Sequence, residues 1–218
     1  MASWLTHLRI AERIKQKVSD IDFPYFIIGS IAPGSDVPYE RKMCHLSEEI
    51  IHCRCQDSNA AAYTNEFVFY DSYLMPEKIL TRSDSTRSFL WGYYFHLIAD
   101  RLWQEEYISP FRTLYENEFN NPNKDFSDLI KEEIFSLDFG YLKEKGPELI
   151  EQIRSFDGSI NLFYEFDSEY IYEYKNQIAD FYSGEPLNLD REYKYLSPQI
   201  IEEFIAKASE KCIKKLVI

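Results

Sequence analysis

The chain has 218 residues, of which 45% are hydrophobic and 17% aromatic, and its formal net charge is −13. This length and apolar content are enough for one domain with a sizeable core. The acidic balance argues against binding to duplex nucleic acid or to an anionic membrane surface, because both favour a basic protein face. No segment approaches the run of about eighteen apolar residues that a membrane span requires, so we expect none.

The first ten residues, MASWLTHLRI, do not combine a basic start with an apolar stretch, so no secretory signal is expected. The four cysteines are then interpreted as reduced thiols, and the protein as cytoplasmic. The 17 Tyr and 16 Phe would permit a dimer, but the sequence leaves the oligomeric state open.

The first predicted helix covers "SWLTHLRIAERIKQKVS", where apolar residues recur at spacings of three and four and Ser3 is available as the N-cap. "FPYFIIGSIAP" follows as a short apolar segment, ended by Gly29 and Pro33. Residues 33–62 are then polar and irregular. A loop of about thirty residues is longer than compact domains usually contain without a functional reason.

Two helices are predicted next, over "YTNEFVFYDSYL" and over "SDSTRSFLWGYYFHLIADRLWQEEY", the longest in the chain. Ser83, Asp84 or Ser85 can cap the longer one. "SPFRTLYENEF" pairs Ser109 as a cap with Pro110 at the first helical position, which is a favoured combination.

The second half continues the helical pattern in "FSDLIKEEIFSLDFGYLKE", "GPELIEQIRSF", "SEYIYEYKNQIADFYSG" and "SPQIIEEFIAKASEKCIKKLVI". Gly184 ends the third of these segments, and Ser197 with Pro198 begins the fourth. No segment convincingly predicts a strand; the best candidate, "INLFYEF" at 160–166, is also compatible with a helix start or an extended link. We therefore predict an all-α, multi-helix single domain over 1–218, with a metal-site half at about 3–110 and a helical second half at about 111–218.

Histidine is scarce, and two of the four histidines lie on apolar helix faces. His7 has the helical phase of Ala11 and Ile14. His96 lies in "FLWGYYFHLIADRLW", and Asp100, four residues later, shares its face. An imidazole nitrogen and a carboxylate oxygen at this spacing can bind one ion, and zinc takes such ligands at about 2.0–2.2 Å.

The alternative is that these residues are ordinary hydrogen-bonded core residues, which is the commoner role of an inward histidine. A buried, unpaired carboxylate costs several kcal/mol, so Asp100 needs a partner in either case. Arg87, Arg101 or backbone N–H groups could supply one without a metal. Asp36, in the loop "GSIAPGSDVP", and His52, in "EEIIHCRC", extend the set of candidate ligands to five residues from four parts of the chain.

"WLTHLRIAERI", "FIIGSIAPGSDVP", "IIHC" and "FLWGYYFHLIADRLW", in this order, resemble the zinc-dependent phospholipase C family, and specifically a cytoplasmic, uncharacterised bacterial branch. The resemblance covers about residues 3–110. It implies the helical fold that phospholipases C share with fungal single-strand nucleases. It also implies that Asp36, His52, His96 and Asp100 surround one zinc ion, while His7 and a shared Asp100 bind a second.

The sequence departs from that family at three points. Trp4 is internal, although the secreted enzymes use an N-terminal tryptophan as a ligand. The family loop Ala-Pro-Asp is replaced by one in which Gly34 follows Pro33 and the carboxylate comes at Asp36. No histidine follows His96, so the resemblance supports one or two zinc ions, or another divalent transition metal, and not three.

A rival metal site falls within "CHLSEEIIHCRC", where thiolates and imidazoles could close a structural zinc site. Its candidate ligands are Cys44, His45, His52, Cys53 and Cys55. The Cys-x-Cys spacing is tighter than the usual Cys-x-x-Cys, and no second pair lies downstream.

The leading hypothesis is a metal-dependent hydrolase of a phosphate ester, with a phosphodiesterase or phospholipase C-like activity. Its substrate would be a small phosphorylated molecule or a lipid head group, and Asp36 would act as the base or as the residue that orients water. The alternative is a non-catalytic helical binding or regulatory protein that keeps a structural metal.

Overall fold

The computed structural model describes residues 2–33, 53–56, 62–119, 126–160, 168–186 and 191–216. Helices dominate these segments, as the sequence predicts, and two three-residue strands complete them. The helices are α1 (Trp4–Lys15), α2 (Phe23–Gly29), α3 (Glu66–Phe69), α4 (Pro76–Ile79), α5 (Asp84–Trp103), α6 (Ser109–Leu114), α7 (Glu116–Phe119), α8 (Phe126–Lys145), α9 (Glu148–Ser155), α10 (Ser168–Ser183) and α11 (Pro198–Leu216).

The serine caps confirm several predicted helix starts. The Ser3 hydroxyl accepts a hydrogen bond from the Thr6 N–H at 3.2 Å, and Ser83 does the same for Thr86 at 3.2 Å. Ser197 accepts from the N–H of Ile200 at 3.2 Å. Each bond satisfies one of the backbone donors that the first turn of a helix leaves unpaired. These helices therefore begin where the sequence predicts.

Two local predictions differ from the structure. Residues 62–64 form strand β2 (Ala62–Thr64), which pairs antiparallel with β1 (Arg54–Gln56), so the helix predicted from Tyr63 begins only at Glu66. Ser109 is not a cap, because it is already helical. A π-helical turn at Gln104–Ile108 connects the end of α5 directly to α6, which begins at Ser109. Pro110 has no N–H to donate to residue 106, and a widened turn of this kind accommodates the lost bond.

The central contact of the fold is the crossing of α2 and α5, where two glycines allow the backbones to touch. A Cβ added to Gly92 would lie 2.1 Å from the Phe26 carbonyl oxygen, and one added to Gly29 would lie 2.1 Å from that of Phe89. Any side chain at either position would force the helices apart. The crossing therefore requires glycine for close approach rather than for backbone flexibility.

The two halves of the chain contribute to a shared core. α11 packs against both α1 and α5, and its Phe204 lies edge-on to the fully buried Trp103 with ring centroids 4.9 Å apart. No helix among the described residues combines the length and the apolar character needed to cross a bilayer. Of the strand candidate at 160–166, only Ile160 belongs to the described residues.

Candidate metal centre

Three of the predicted ligands meet in the interior. His7 from α1 and His96 and Asp100 from α5 are 2%, 2% and 4% exposed. The two imidazole rings stack nearly parallel, with centroids 3.8 Å apart and 13° between their planes. One ligand atom from each of the three residues lies within 4.8 Å of the others. The structure therefore brings together residues separated by more than eighty positions in the sequence.

The close approach of α2 and α5 determines the protonation of His96. Its Nδ1 lies 2.8 Å from the carbonyl oxygen of Ser30, the residue that follows α2. A carbonyl oxygen can only accept, so Nδ1 must carry a proton and donate it. Nε2 is then directed at Oδ2 of Asp100, 3.1 Å away. It either carries a second proton or directs a lone pair at a cation that it shares with the carboxylate.

Asp100 is contacted from both sides of the cluster. Its Oδ1 accepts the backbone N–H of Ala2 at 3.1 Å and lies 3.3 Å from Nε2 of His7. Among the described residues, that His7 nitrogen makes no hydrogen bond of standard geometry, although it is fully buried. Neither arginine proposed as a protein-only partner contacts Asp100: Arg101 pairs with the buried Glu66 at 2.6 Å, and Arg87 pairs with Asp84. Asp100 is thus partnered by imidazoles and a backbone amide.

The electrostatics of the cluster suit cation binding. Burial, reinforced by the neighbouring His96, lowers the pKa of His7 from 6.5 to about 4. Burial alone would raise the pKa of Asp100, but the two histidines outweigh it and hold that pKa well below its usual range. At neutral pH the site therefore contains an ionised carboxylate beside a neutral imidazole, which are the protonation states that a metal ion requires.

These three residues fit a divalent transition metal by their chemistry. Two imidazole nitrogens and one carboxylate oxygen are ligands that zinc takes in tetrahedral sites with an open fourth position. The bond from His96 Nδ1 to a backbone carbonyl is the kind of outer contact that orients a metal-binding histidine. His7 Nε2 is fully buried and faces Asp100 Oδ1 at 3.3 Å without a hydrogen bond of standard geometry, so a cation shared by the two atoms would satisfy both.

The remaining predicted ligands, Asp36 and His52, lie outside the described residues, so their predicted roles stay predictions. Cys44 and His45 of the rival zinc site are also outside them. Cys53 is partly buried and precedes β1, and the rival site stays untested.

Sequence reasoning missed the residues that support the cluster. The Ser30 carbonyl and the Ala2 amide are backbone groups, which no side-chain pattern reveals. Gly92 did carry a signal, because a glycine inside an apolar helix indicates close packing, and it lies one turn before His96 on the same face.

Together the fold and the cluster define a multi-helix protein with a buried His–His–Asp site between its first helix and its longest apolar one. No protein-family model matches the chain, and no curated protein or solved structure is significantly similar to it. The resemblance to phospholipases C therefore rests on the four quoted segments alone.

Proposed function

We propose that the protein is a metal-dependent hydrolase of a phosphate ester, with zinc held by His7, His96 and Asp100. The observation that carries the proposal is the buried convergence of two imidazoles and an ionised carboxylate. A bound zinc ion would polarise a phosphoryl oxygen and lower the pKa of a bound water. A small phosphorylated molecule or a lipid head group is the proposed substrate.

The chain's own residues would prepare this site in three ways. The Ser30 carbonyl holds His96 in the tautomer whose Nε2 is available as a ligand. The Ala2 amide occupies one lone pair of Asp100 Oδ1 and thereby orients the carboxylate. Asp36 is the proposed base, and His52 is proposed as a further ligand; they follow Ser30 in the sequence by 6 and 22 residues.

Metal content and turnover, measured together, test the proposal. We expect close to one equivalent of zinc in gently purified protein, or uptake on titration, together with hydrolysis of bis(4-nitrophenyl) phosphate or 4-nitrophenyl phosphate. Asp100→Asn should lose both properties. Asp138→Asn is the matched control, because Asp138 is an equally buried carboxylate outside the cluster. Fewer than about 0.2 equivalents of any transition metal, with no uptake on titration, would contradict the proposal.

The second candidate is a binding or regulatory protein in which the same metal is purely structural. The depth of the cluster favours it, since all three ligand side chains are almost inaccessible to solvent in the described structure. In that case metal would raise the melting temperature by mass action, but both phosphoester substrates would stay intact. Turnover that is lost on His96→Ala while the fold is retained would exclude this candidate.

A further inference from the structure

A cavity lies on the opposite face of α1 from the His–Asp cluster. Its volume is about 430 Å³, and α1, α8, the segment before α11 and α11 itself line it. Arg9 faces this cavity while His7 faces α5, because the side chains of residues two apart on a helix point about 160° apart. The cavity and the proposed metal centre therefore share a helix but no residue.

Gly140, within α8, leaves the cavity open. A glycine in a helix interior costs about 1 kcal/mol relative to alanine, so it usually has a packing reason. At position 140 no close packing contact requires glycine, because a Cβ added to Gly140 would meet no atom within 4 Å. The contrast with Gly29 and Gly92 is complete, since those two glycines are required by backbone contact. The missing side chain at Gly140 creates space.

One wall of the cavity places the guanidinium of Arg9 beside the rings of two tyrosines. Arg9 is only 8% exposed, and its guanidinium carbon lies 3.8 Å above the centre of the Tyr141 ring. It pairs with Glu202, whose side chain is 56% exposed and can therefore move away at little cost. Tyr193, anchored through its hydroxyl to the buried Ser136 at 3.2 Å, adds a second ring.

The remaining wall determines which ligands fit. Leu137, Pro198 and Ile201 contribute apolar surface. Glu144 and Lys145, which are exposed and pair with each other at 2.6 Å, add one charge of each sign. Asp138 also lines the cavity, and burial raises its pKa to about 7, which weakens its repulsion of an anion. A planar apolar ring would thus lie against the tyrosines, while an anionic group would take the place of the Glu202 carboxylate on Arg9.

We propose that this cavity binds a small aromatic molecule bearing one anionic group, a phosphate or a carboxylate, with Arg9 as the anchor for the anion. The volume suits a ligand of this size. The site is independent of the proposed metal centre, so binding should be the same with and without a chelator.

Calorimetric or NMR titration with phenylphosphonate and with benzoate, in the presence of EDTA, tests the proposal and tells the two anions apart. We expect at least one of them to bind with a dissociation constant below about 1 mM, and both inorganic phosphate and phenol to bind at least about tenfold more weakly. No saturable binding of either aromatic anion up to about 10 mM would overturn the proposal.

Two variants locate the site. Gly140→Leu should fill the cavity and weaken binding at least about tenfold while the helical content is retained. Gln152→Leu, at an exposed position of α9, is the control and should leave binding unchanged. Glu202→Gln should strengthen binding several-fold, because it frees Arg9. Unchanged affinity in both Gly140→Leu and Glu202→Gln, or an equal loss in Gln152→Leu, would show that the ligand binds elsewhere.

Discussion

Asp100 and Asp138 are almost equally buried, at 4% and 2% exposure, yet their pKa values move in opposite directions. Two histidines lower the pKa of Asp100. Asp138 accepts hydrogen bonds from the hydroxyls of Ser3 at 3.0 Å and Tyr182 at 2.7 Å, but burial outweighs these bonds and the charge of Arg9 and raises its pKa to about 7. The contrast shows that burial alone does not decide the charge of a carboxylate, whereas its neighbours do.

Asp138 should make stability depend on pH. Its folded pKa of about 7 lies above the ordinary value of 3.8, so between these two pH values the folded state holds a proton that the unfolded state has released. The stabilisation that comes from binding this proton is fully present below about pH 4. It is lost as the pH rises to about 7, which lowers the free energy of unfolding by at most about 4 kcal/mol.

Melting temperatures of the wild type and of Asp138→Asn, compared from pH 4 to pH 8, check this prediction. The difference should move steadily in favour of the variant up to about pH 7 and then level off. The difference in melting temperature between the two proteins excludes the effect of His7. Its lowered pKa makes stability rise with pH, and it does so equally in both proteins. A difference that does not vary with pH would contradict the assigned pKa.

At the scale of elements, the crossing of α2 and α5 should be the part of the fold most sensitive to a single methyl group. Gly92→Ala places a Cβ against the Phe26 carbonyl and should destabilise the protein by at least about 2 kcal/mol. Gly140→Ala, also inside a helix but beside open space, should instead stabilise by about 0.5 to 1 kcal/mol.

Urea denaturation of both variants measures these two values. Gly92→Ala should also displace Ser30 from His96 and so weaken metal uptake, which Gly140→Ala should leave unchanged. Equal effects of the two substitutions would mean that helix propensity, rather than the close approach of the backbones, controls both positions.

Glu133 ties α8 to the segment that leads into α11. Its carboxylate, 2% exposed, accepts the backbone N–H groups of Lys194, Tyr195 and Leu196 at 2.8, 3.0 and 2.9 Å. Glu133→Gln replaces one acceptor by a donor and should cost about 2 to 3 kcal/mol. Hydrogen exchange should accelerate first at those three amides, and an unchanged exchange rate there would contradict the assigned role.

The sequence predicted these elements unevenly, for physical reasons. Ser3 was correctly predicted as a cap, and Ser83 was one of the three candidates named for its helix, because capping is a local property of side chain and backbone. Helical periodicity placed His96 and Asp100 on one face for the same reason. By contrast, the hairpin at 54–64 depends on pairing between segments, and the Ser30 contact depends on a backbone carbonyl brought across by the packing of two helices.

At the scale of the whole molecule, α11 joins the end of the chain to its beginning. It packs on α1 and α5, the two helices that carry the His–Asp cluster, and Phe204 contacts Trp103 in the core. The half that contains the candidate metal centre therefore shares its core with the half that was predicted only from its helical pattern.

This shared core predicts a single cooperative unfolding transition. Phe204→Ala, far from the cluster in sequence, should cost about 3 to 5 kcal/mol, because it leaves a cavity beside Trp103. Far-UV circular dichroism, which reports on all helices, and near-UV dichroism, which reports on the packed aromatic rings, should shift together to the same lower midpoint. If the halves 3–110 and 111–218 were independently stable, the two signals would separate in the variant, and the far-UV curve would keep a component with the wild-type midpoint.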